Sequence, residues 1–223
     1  MAGASSRWHT GAARRAFYSI LLATICCSAV CATTPAETMP GAIEVADLAL
    51  PTGGTERVLF MAARPARATM ILLAGGDSVF AIDNSGNVTP ATNFLLRTRG
   101  LWAAQGFNVV IPGPPNGQSL IGRRSTSAYV AELGRVVDFA RLRSNAPVWI
   151  IGTSQGSTGA VNGGAHLGSK VAGVVLTSSV TQRSRAGETV FEAEPGLISV
   201  PMLVVANSGD TCRATPPGDR HAS

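Results

Sequence analysis

The sequence predicts a doubly wound α/β domain in which a mostly parallel sheet follows an N-terminal antiparallel hairpin. Three observations lead to this prediction. Short, continuous apolar segments such as residues 68–74 have the composition of strands buried on both faces of a parallel sheet. Segments with helical periodicity alternate with them through short links. The 223 residues, 45% of them hydrophobic, suffice for one globular domain but are few for two.

The first 32 residues have the composition of a secretory signal peptide. Their basic start contains Arg7, Arg14 and Arg15. An uncharged apolar run follows and ends in small residues at Ala32, where a signal peptidase can cut. The run is shorter than the roughly 20 residues of a comfortable membrane span. We therefore expect residues 1–32 to be removed and the protein to be exported, either to the periplasm or to the medium; the adjacent arginines leave both the general and the twin-arginine routes open.

Loss of this segment would change the charge and the cysteine content of the chain. The formal net charge would fall from +5 to +2, and no basic cluster with interleaved aromatic residues would be left to bind nucleic acid. Of the four cysteines only Cys212 would stay, an odd thiol in a compartment where disulfides form. Residues 33–41 are predicted to be a polar linker, and residues 42–223 the folded domain.

Seven segments are predicted to be strands. In chain order they cover residues 43–50, 57–63, 68–74, 108–111, 147–151, 171–176 and 201–206. The first two are joined by residues 51–54, Pro-Thr-Gly-Gly, which is typical of a hairpin turn. The third and the later ones are apolar runs that suit the interior of a parallel sheet.

Three segments are predicted to be helices, covering residues 93–105, 127–144 and 157–167. The first stops at Gly106, a residue type that commonly follows a helix, and places Phe94, Leu95, Leu101 and Trp102 toward one side. The second is the clearest amphipathic helix, and the third consists mainly of small residues. Between the last two strands, residues 181–200 are loop-rich, with room for one helical turn.

The pentapeptide Gly152-Thr153-Ser154-Gln155-Gly156 matches the pattern G-x-S-x-G. The match alone is weak in a sequence rich in glycine and serine, and a plain glycine-rich connection is the alternative interpretation. Its context favours chemistry, because an apolar strand precedes it and a helix follows. Such a strand–turn–helix arrangement exposes the serine hydroxyl above the sheet, and it needs small flanking residues because other backbone passes close by. Ser154 is therefore the candidate nucleophile.

Five features follow one another along the chain: the hairpin, the strand end Leu72-Leu73-Ala74-Gly75-Gly76, the helix start Asn93-Phe94-Leu95, the serine motif and Asp210 after the last strand. The order of these features resembles the α/β-hydrolase family. The likeness covers residues 42 to 217 and is greatest to small exported bacterial members without a large lid. It implies a serine hydrolase that cleaves a carboxylic ester or a related acyl bond of a small molecule through an acyl-enzyme, without metal or cofactor.

The resemblance also implies roles for individual residues. The backbone N–H groups of Gln155 and Gly76 would hold the oxyanion, with Asp77 as a near alternative to Gly76. Asp210 would orient the catalytic histidine. Both assignments have a plainer alternative, since Gly75-Gly76 and the Asn-Ser-Gly-Asp segment ending at Asp210 are also ordinary turn sequences.

The catalytic histidine is the element of the pattern that the sequence does not supply clearly. His9 lies in the predicted signal peptide, and His166 lies on the helix after the serine motif, several turns from Ser154. His221 follows Asp210 by only eleven positions, with no intervening strand, and is the remaining candidate base. Because the family continues with a strand, the histidine and a helix, we expect the last strand and helix to be missing from a truncated or frameshifted chain. Cys212, without a partner, fits the same expectation.

Other functions are less compatible with the sequence. Glycines at 152, 156 and 159 superficially resemble a dinucleotide-binding loop, but they follow a late strand and no acidic residue closes the next one. A P-loop and a metal cluster with ligand spacing are not recognisable. An inactive hydrolase-fold protein, possibly a binding module, is the second hypothesis. Neither the substrate nor the oligomeric state can be predicted from the candidate pocket loops, residues 112–124 and 181–200.

Overall fold

A computed structural model of the chain describes residues 39–183 and 187–217. The predicted signal peptide, most of the predicted linker and His221 lie outside these ranges. The strands, in chain order, are β1 (Met39–Ala49), β2 (Thr55–Arg64), β3 (Ala68–Leu73), β4 (Ala81–Ile82), β5 (Val88–Thr89), β6 (Phe107–Pro112), β7 (Val148–Thr153), β8 (Gly173–Thr177) and β9 (Met202–Val205). The helices are α1 (Phe94–Ala104), α2 (Ser127–Arg143) and α3 (Gln155–His166).

Seven strands form one sheet in the order β1-β2-β6-β3-β7-β8-β9. The β1–β2 and β2–β6 pairs are antiparallel, and the four pairs from β6 to β9 are parallel. The predicted mostly parallel sheet with an N-terminal antiparallel hairpin is therefore confirmed. The order places the carboxyl end of β7 between those of β3 and β8, which is where an open α/β sheet positions its ligand-binding residues.

Alternate residues of the central strands pack into cores on opposite faces of the sheet. Ile71 and Leu73 of β3 join the core that contains buried residues of α2 and α3, whereas Leu72 joins the core that contains Leu95 and Leu96 of α1. Because successive side chains of a strand point to opposite faces, both faces must be covered by helices. This arrangement explains why the strands read as continuous apolar runs in the sequence.

The structure corrects three details of the sequence analysis. Helix α1 buries Leu95, Leu96 and Ala103, while Phe94 is 44% exposed and Leu101 is 68% exposed, so the predicted apolar side was wrong for those two residues. Helix α3 begins at residue 155, two residues earlier than predicted, since the glycine-rich start concealed it. The hairpin formed by β4 and β5 was not predicted, because its strands have only two residues each.

The last strand of the sheet order, β9, presents apolar side chains at one edge. Met202, Leu203 and Val205 are all exposed. Within residues 39–183 and 187–217, no helix combines the length and the apolar character needed to cross a membrane.

Candidate active site

Ser154 lies in the tight turn between β7 and α3. Its backbone adopts φ 52° and ψ −126°, a conformation that non-glycine residues adopt at a cost of about 1–3 kcal/mol. The turn is fixed on both sides: the Ser154 N–H donates to the Thr177 carbonyl at 3.0 Å, and the Ser157 hydroxyl donates to the Ser154 carbonyl at 2.6 Å. The predicted strand–turn–helix geometry is present, with the side chain of Ser154 in a half-buried position.

The two glycines of the motif are required by close backbone approaches. A Cβ atom on Gly156 would lie 2.1 Å from the Leu73 carbonyl oxygen, and one on Gly152 would lie 2.2 Å from the Gly156 carbonyl oxygen. Real Cβ atoms essentially never come closer than 3.0 Å to such neighbours. The start of α3 therefore packs directly against the end of β3, as the requirement for small residues in the motif implies.

The loop that follows β3 lies next to Ser154. A Cβ atom on Gly75 would lie 2.9 Å from the Cβ atom of Ser154. Gly76 (φ 65°) and Ser78 (φ 57°) both have left-handed backbone, so the chain turns sharply around Asp77. We call residues 74–78 the β3 loop.

Across from the β3 loop is the N-terminus of α3. Gln155 is the first residue of this helix, and the Ser154 side chain makes no capping hydrogen bond to it. The first N–H groups of a helix have no partner within the helix and carry partial positive charge. Together with the β3 loop, they form a suitable environment for developing negative charge beside Ser154.

A fully buried arginine that the sequence analysis did not identify holds the β3 loop. Arg124 Nη2 donates to the Gly76 carbonyl and to the Ser78 hydroxyl, each at 2.8 Å, and Arg124 Nη1 donates to the Leu120 carbonyl at 3.2 Å. Burial lowers the pKa of Arg124, although an arginine keeps its charge in proteins. The surrounding Leu-Ile-Gly-Arg-Arg-Ser sequence reads as an ordinary polar loop, so no local signal marked this residue.

Two further buried side chains connect the Arg124 segment to the rest of the site. The Glu188 carboxylate accepts hydrogen bonds from the Arg124 N–H at 3.1 Å and from the N–H and hydroxyl of Ser125 at 3.0 and 2.9 Å. The Asn162 amide on α3 donates to the Arg124 and Thr126 carbonyls at 2.8 and 2.9 Å. The helix that follows the nucleophile and the β3 loop are therefore attached to the same segment.

Asp210 follows β9, as predicted, in a loop that fixes its carboxylate. Its oxygens accept from the Cys212 N–H and from the Thr215 hydroxyl, each at 2.9 Å. These hydrogen bonds, and a further one from the Ser178 hydroxyl, hold the pKa of Asp210 below its ordinary value, so the group is ionised at neutral pH. Ser178 directly follows Thr177, the residue that accepts from the Ser154 N–H, so both Ser154 and Asp210 are attached to the carboxyl end of β8.

A small, partly open cleft lies beside Asp210, between the ends of β8 and β9 and the segment at 190–195. Its walls are mainly apolar, with polar groups contributed by Ser178, Asp210 and Thr215. The apolar lining includes Val161, Leu176, Val190, Phe191, Met202 and Val204. The apolar lining of this cleft suits an apolar group of a small ligand.

The structure does not bring a histidine to Ser154 within the described ranges. His166 is at the C-terminal end of α3, where its Nε2 lies 3.2 Å from Glu194. Twelve residues of helix separate it from Ser154, a distance of about 18 Å at 1.5 Å per residue. His166 is therefore not the base, as expected, and His221 lies outside the described residues.

Neither a metal site nor a disulfide occurs among the described residues. Among residues 39–183 and 187–217, no group of three His, Cys, Asp or Glu side chains is arranged to hold a metal ion. Cys212 is exposed, and its thiol takes part in no disulfide within the part of the chain that the structure describes.

Comparison with solved structures identifies the fold. An α/β serine hydrolase without a lid from Xanthomonas campestris matches with a TM-score of 0.54 and 15% identity, over 81% of this chain and 77% of that one. An α/β serine hydrolase homologue from Coxiella burnetii matches with a TM-score of 0.58 and 15% identity, over 80% and 79%. A cold-adapted esterase from an Arctic intertidal metagenomic library matches with a TM-score of 0.53 and 12% identity, over 82% and 79%.

No family model and no curated protein matches the sequence. At the identities of the structural neighbours, the likeness establishes the α/β-hydrolase type of fold and not a particular activity.

Proposed function

We propose that this protein is a serine hydrolase that cleaves a carboxylic ester or a related acyl bond through an acyl-enzyme on Ser154. The observation that supports this most directly is the strained turn at Ser154, which lies between the β3 loop and the uncapped N-terminus of α3. The fold neighbours, which are serine hydrolases and esterases, support the same class of reaction.

The proposed reaction has two steps at the serine hydroxyl. A base accepts the Ser154 proton while the oxygen attacks the acyl carbon, and the resulting oxyanion accepts hydrogen bonds from the Gln155 N–H and from an N–H of the β3 loop, at Gly76 or Asp77. Collapse of the oxyanion breaks the bond between the acyl carbon and the alcohol oxygen, which takes the proton from the base and leaves the acyl-enzyme. Water then loses a proton to the base, attacks the acyl carbon and releases the acid, and the base returns the proton to Ser154. The ionised Asp210 would orient and stabilise a protonated histidine, for which His221 is the candidate.

A fluorophosphonate probe tests the nucleophile, because it phosphonylates an activated serine and is independent of substrate identity. We expect labelling of the wild-type chain that is lost in Ser154→Ala and unchanged in Ser169→Ala. Ser169 is an exposed serine beyond the opposite end of α3 from Ser154. Folded wild-type protein that is not labelled would overturn the proposal. A panel of short and long acyl esters, run on the same variants, then identifies the preferred acyl group.

A non-catalytic role for the same fold is the second candidate, and the position of His166 favours it. Because this histidine lies about 18 Å along the helix from Ser154, only His221 can supply an imidazole to the site from this chain's folded domain. Comparison of labelling rates in wild type and His221→Ala separates the two candidates. A large decrease assigns the base to His221, whereas folded protein without labelling in either form supports a binding function.

We also propose that the protein is exported after cleavage behind Ala32. The basic start, the short apolar run and the small residues before the cut support this. N-terminal sequencing of the protein recovered outside the cytoplasm should begin at Thr33. Recovery of the intact N-terminus only, in the cytoplasm, would contradict the proposal.

A further inference from the structure

The Gly76 N–H and the Asp77 N–H of the β3 loop are both candidate oxyanion donors, and they differ in how firmly their peptide groups are held. The peptide between Gly75 and Gly76 has no hydrogen bond at either its carbonyl or its N–H among the described residues. The next peptide, between Gly76 and Asp77, has its carbonyl fixed by Arg124 at 2.8 Å. A donor for a developing charge is effective when it is oriented in advance, and only the second peptide meets that condition.

The orientation of the second peptide follows from its geometry. The peptide bond between Gly76 and Asp77 is trans, so its C=O and N–H groups point in opposite directions. Since the carbonyl points at Arg124, the Asp77 N–H points away from this arginine. No acceptor for the Asp77 N–H exists among the described residues. The Asp77 carboxylate instead accepts from the Val79 N–H at 3.0 Å, so the side chain stabilises the turn rather than using its own backbone donor.

Arg124 also connects this donor to the second one. Its carbonyl accepts from the Asn162 amide at 2.8 Å, and Asn162 lies on α3, whose first residue is Gln155. The guanidinium therefore holds the β3 loop while the backbone of the same residue is attached to the helix that presents the other N–H. The Glu188 carboxylate, by accepting from the Arg124 N–H, fixes the backbone from a third side.

We propose that Arg124 is a positioning residue for the oxyanion site, and that it makes the Asp77 N–H, rather than the Gly76 N–H, the partner of the Gln155 N–H. This inference rests on the proposed function and specifies how its oxyanion is held. Arg124 does not touch the reacting atoms; it acts through the Gly76 carbonyl. Its planar guanidinium bonds several acceptors at once, a geometry that a lysine ammonium does not reproduce.

The test compares fluorophosphonate labelling of Ser154 in Arg124→Lys, Ser78→Ala and Arg135→Lys. Measuring the rate against probe concentration separates the maximal rate of labelling from probe affinity. Arg124→Lys should lower the maximal rate about 10- to 100-fold with affinity nearly unchanged, because a donor displaced by about 1 Å loses most of its effect. Ser78→Ala removes one of the three hydrogen bonds of Arg124 Nη2, the others being to the Ala74 and Gly76 carbonyls, and should lower the rate by several fold. Arg135→Lys, at an exposed arginine of α2, is the matched control; it makes the same substitution away from the β3 loop and should label like wild type.

The outcomes distinguish this inference from the proposed function. Wild-type protein that is not labelled overturns the proposed function, and the inference is then judged by hydrogen exchange of the β3 loop amides, which should accelerate in Arg124→Lys and not in Arg135→Lys. Labelling at the wild-type rate in folded Arg124→Lys overturns the inference alone. If Arg124→Lys does not fold, Ser78→Ala decides: an unchanged maximal rate refutes the positioning role, and a selective decrease supports it.

Discussion

Replacement of Gly156 by alanine tests how closely the nucleophile turn is packed against the end of β3. The added Cβ atom would lie 2.1 Å from the Leu73 carbonyl oxygen and 2.8 Å from the Ala74 carbonyl oxygen, both of them backbone atoms that cannot rotate away. To reach the shortest distance found for real Cβ atoms, 3.0 Å, the start of α3 and the end of β3 must separate by about 0.9 Å.

Two opposing effects set the magnitude for Gly156→Ala. Overpacking costs about 1–3 kcal/mol, and a clash between two backbones belongs at the upper end of that range. Alanine in a helix stabilises the folded state by about 1 kcal/mol relative to glycine. The net decrease of about 2 kcal/mol in the free energy of unfolding corresponds to a decrease in Tm of about 4–8 °C for a domain of this size. Separating the nucleophile from the β3 loop by nearly 1 Å should also slow labelling of Ser154 by about 100-fold.

Gly100→Ala is the matched control, since it makes the same substitution in α1 where a Cβ atom meets nothing within 4 Å. We expect the free energy of unfolding of this variant to be about 0.5–1 kcal/mol higher than that of the wild type, and Ser154 to be labelled at the wild-type rate. Thermal unfolding followed by circular dichroism, together with probe labelling, measures both quantities. If Gly156→Ala were as stable and as reactive as Gly100→Ala, the argument that backbone contact positions Ser154 would be refuted.

Three other variants test charge and surface. Burial raises the pKa of Glu56 well above its ordinary value, so its contribution to stability is complete below about pH 4.5 and is lost as the pH rises toward the raised pKa. Glu56→Gln should therefore flatten the dependence of Tm on pH over that interval. A Tm curve parallel to that of the wild type would contradict this. Asp210→Asn should slow labelling of Ser154 by as much as about 10⁴-fold, whereas the surface variant Asp138→Asn should label like wild type. Equal labelling rates in the two variants would exclude Asp210 as the orienting acid. Leu203→Lys, on the exposed edge of β9, should reduce light scattering by concentrated protein, while Leu142→Lys on α2 should have little effect although that residue is 83% exposed.

The sequence predicted the parts of this structure that depend on neighbouring residues. The hairpin, the buried strands and the turn at Ser154 each have a local signature: a Pro-Thr-Gly-Gly turn, continuous apolar runs, and glycines on both sides of the serine. Local periodicity was less informative for α1, where Phe94 and Leu101 have the spacing of a buried face but lie on the solvent side. Which face of a helix is buried depends on the sheet beneath it, and the short segment between residues 94 and 104 allows more than one apolar stripe.

Arg124 and Glu188 could not be identified from the sequence for a different physical reason. Their partners are distant in the chain: Arg124 binds the carbonyl of Gly76, and Glu188 binds the backbone of Arg124 and Ser125. A charged residue in a polar loop is ordinarily exposed, so burial of these two side chains becomes visible only when three loops are brought together. The hydrogen bonds that they make are numerous because a buried charge without partners would be strongly destabilising.

The contacts around Ser154 explain how its strained backbone persists. A conformation that costs about 1–3 kcal/mol is retained when its surroundings allow no alternative, and here the restraints come from three directions. Thr177 of β8 accepts from the Ser154 N–H, the glycine contacts lock α3 against β3, and Gly75 packs against the Ser154 side chain. None of these restraints involves a histidine, so the conformation of the turn at Ser154 does not depend on a base. The geometry at Ser154 and its activation by a base are therefore separable properties. Gly156→Ala tests the first, and the comparison with His221→Ala tests the second.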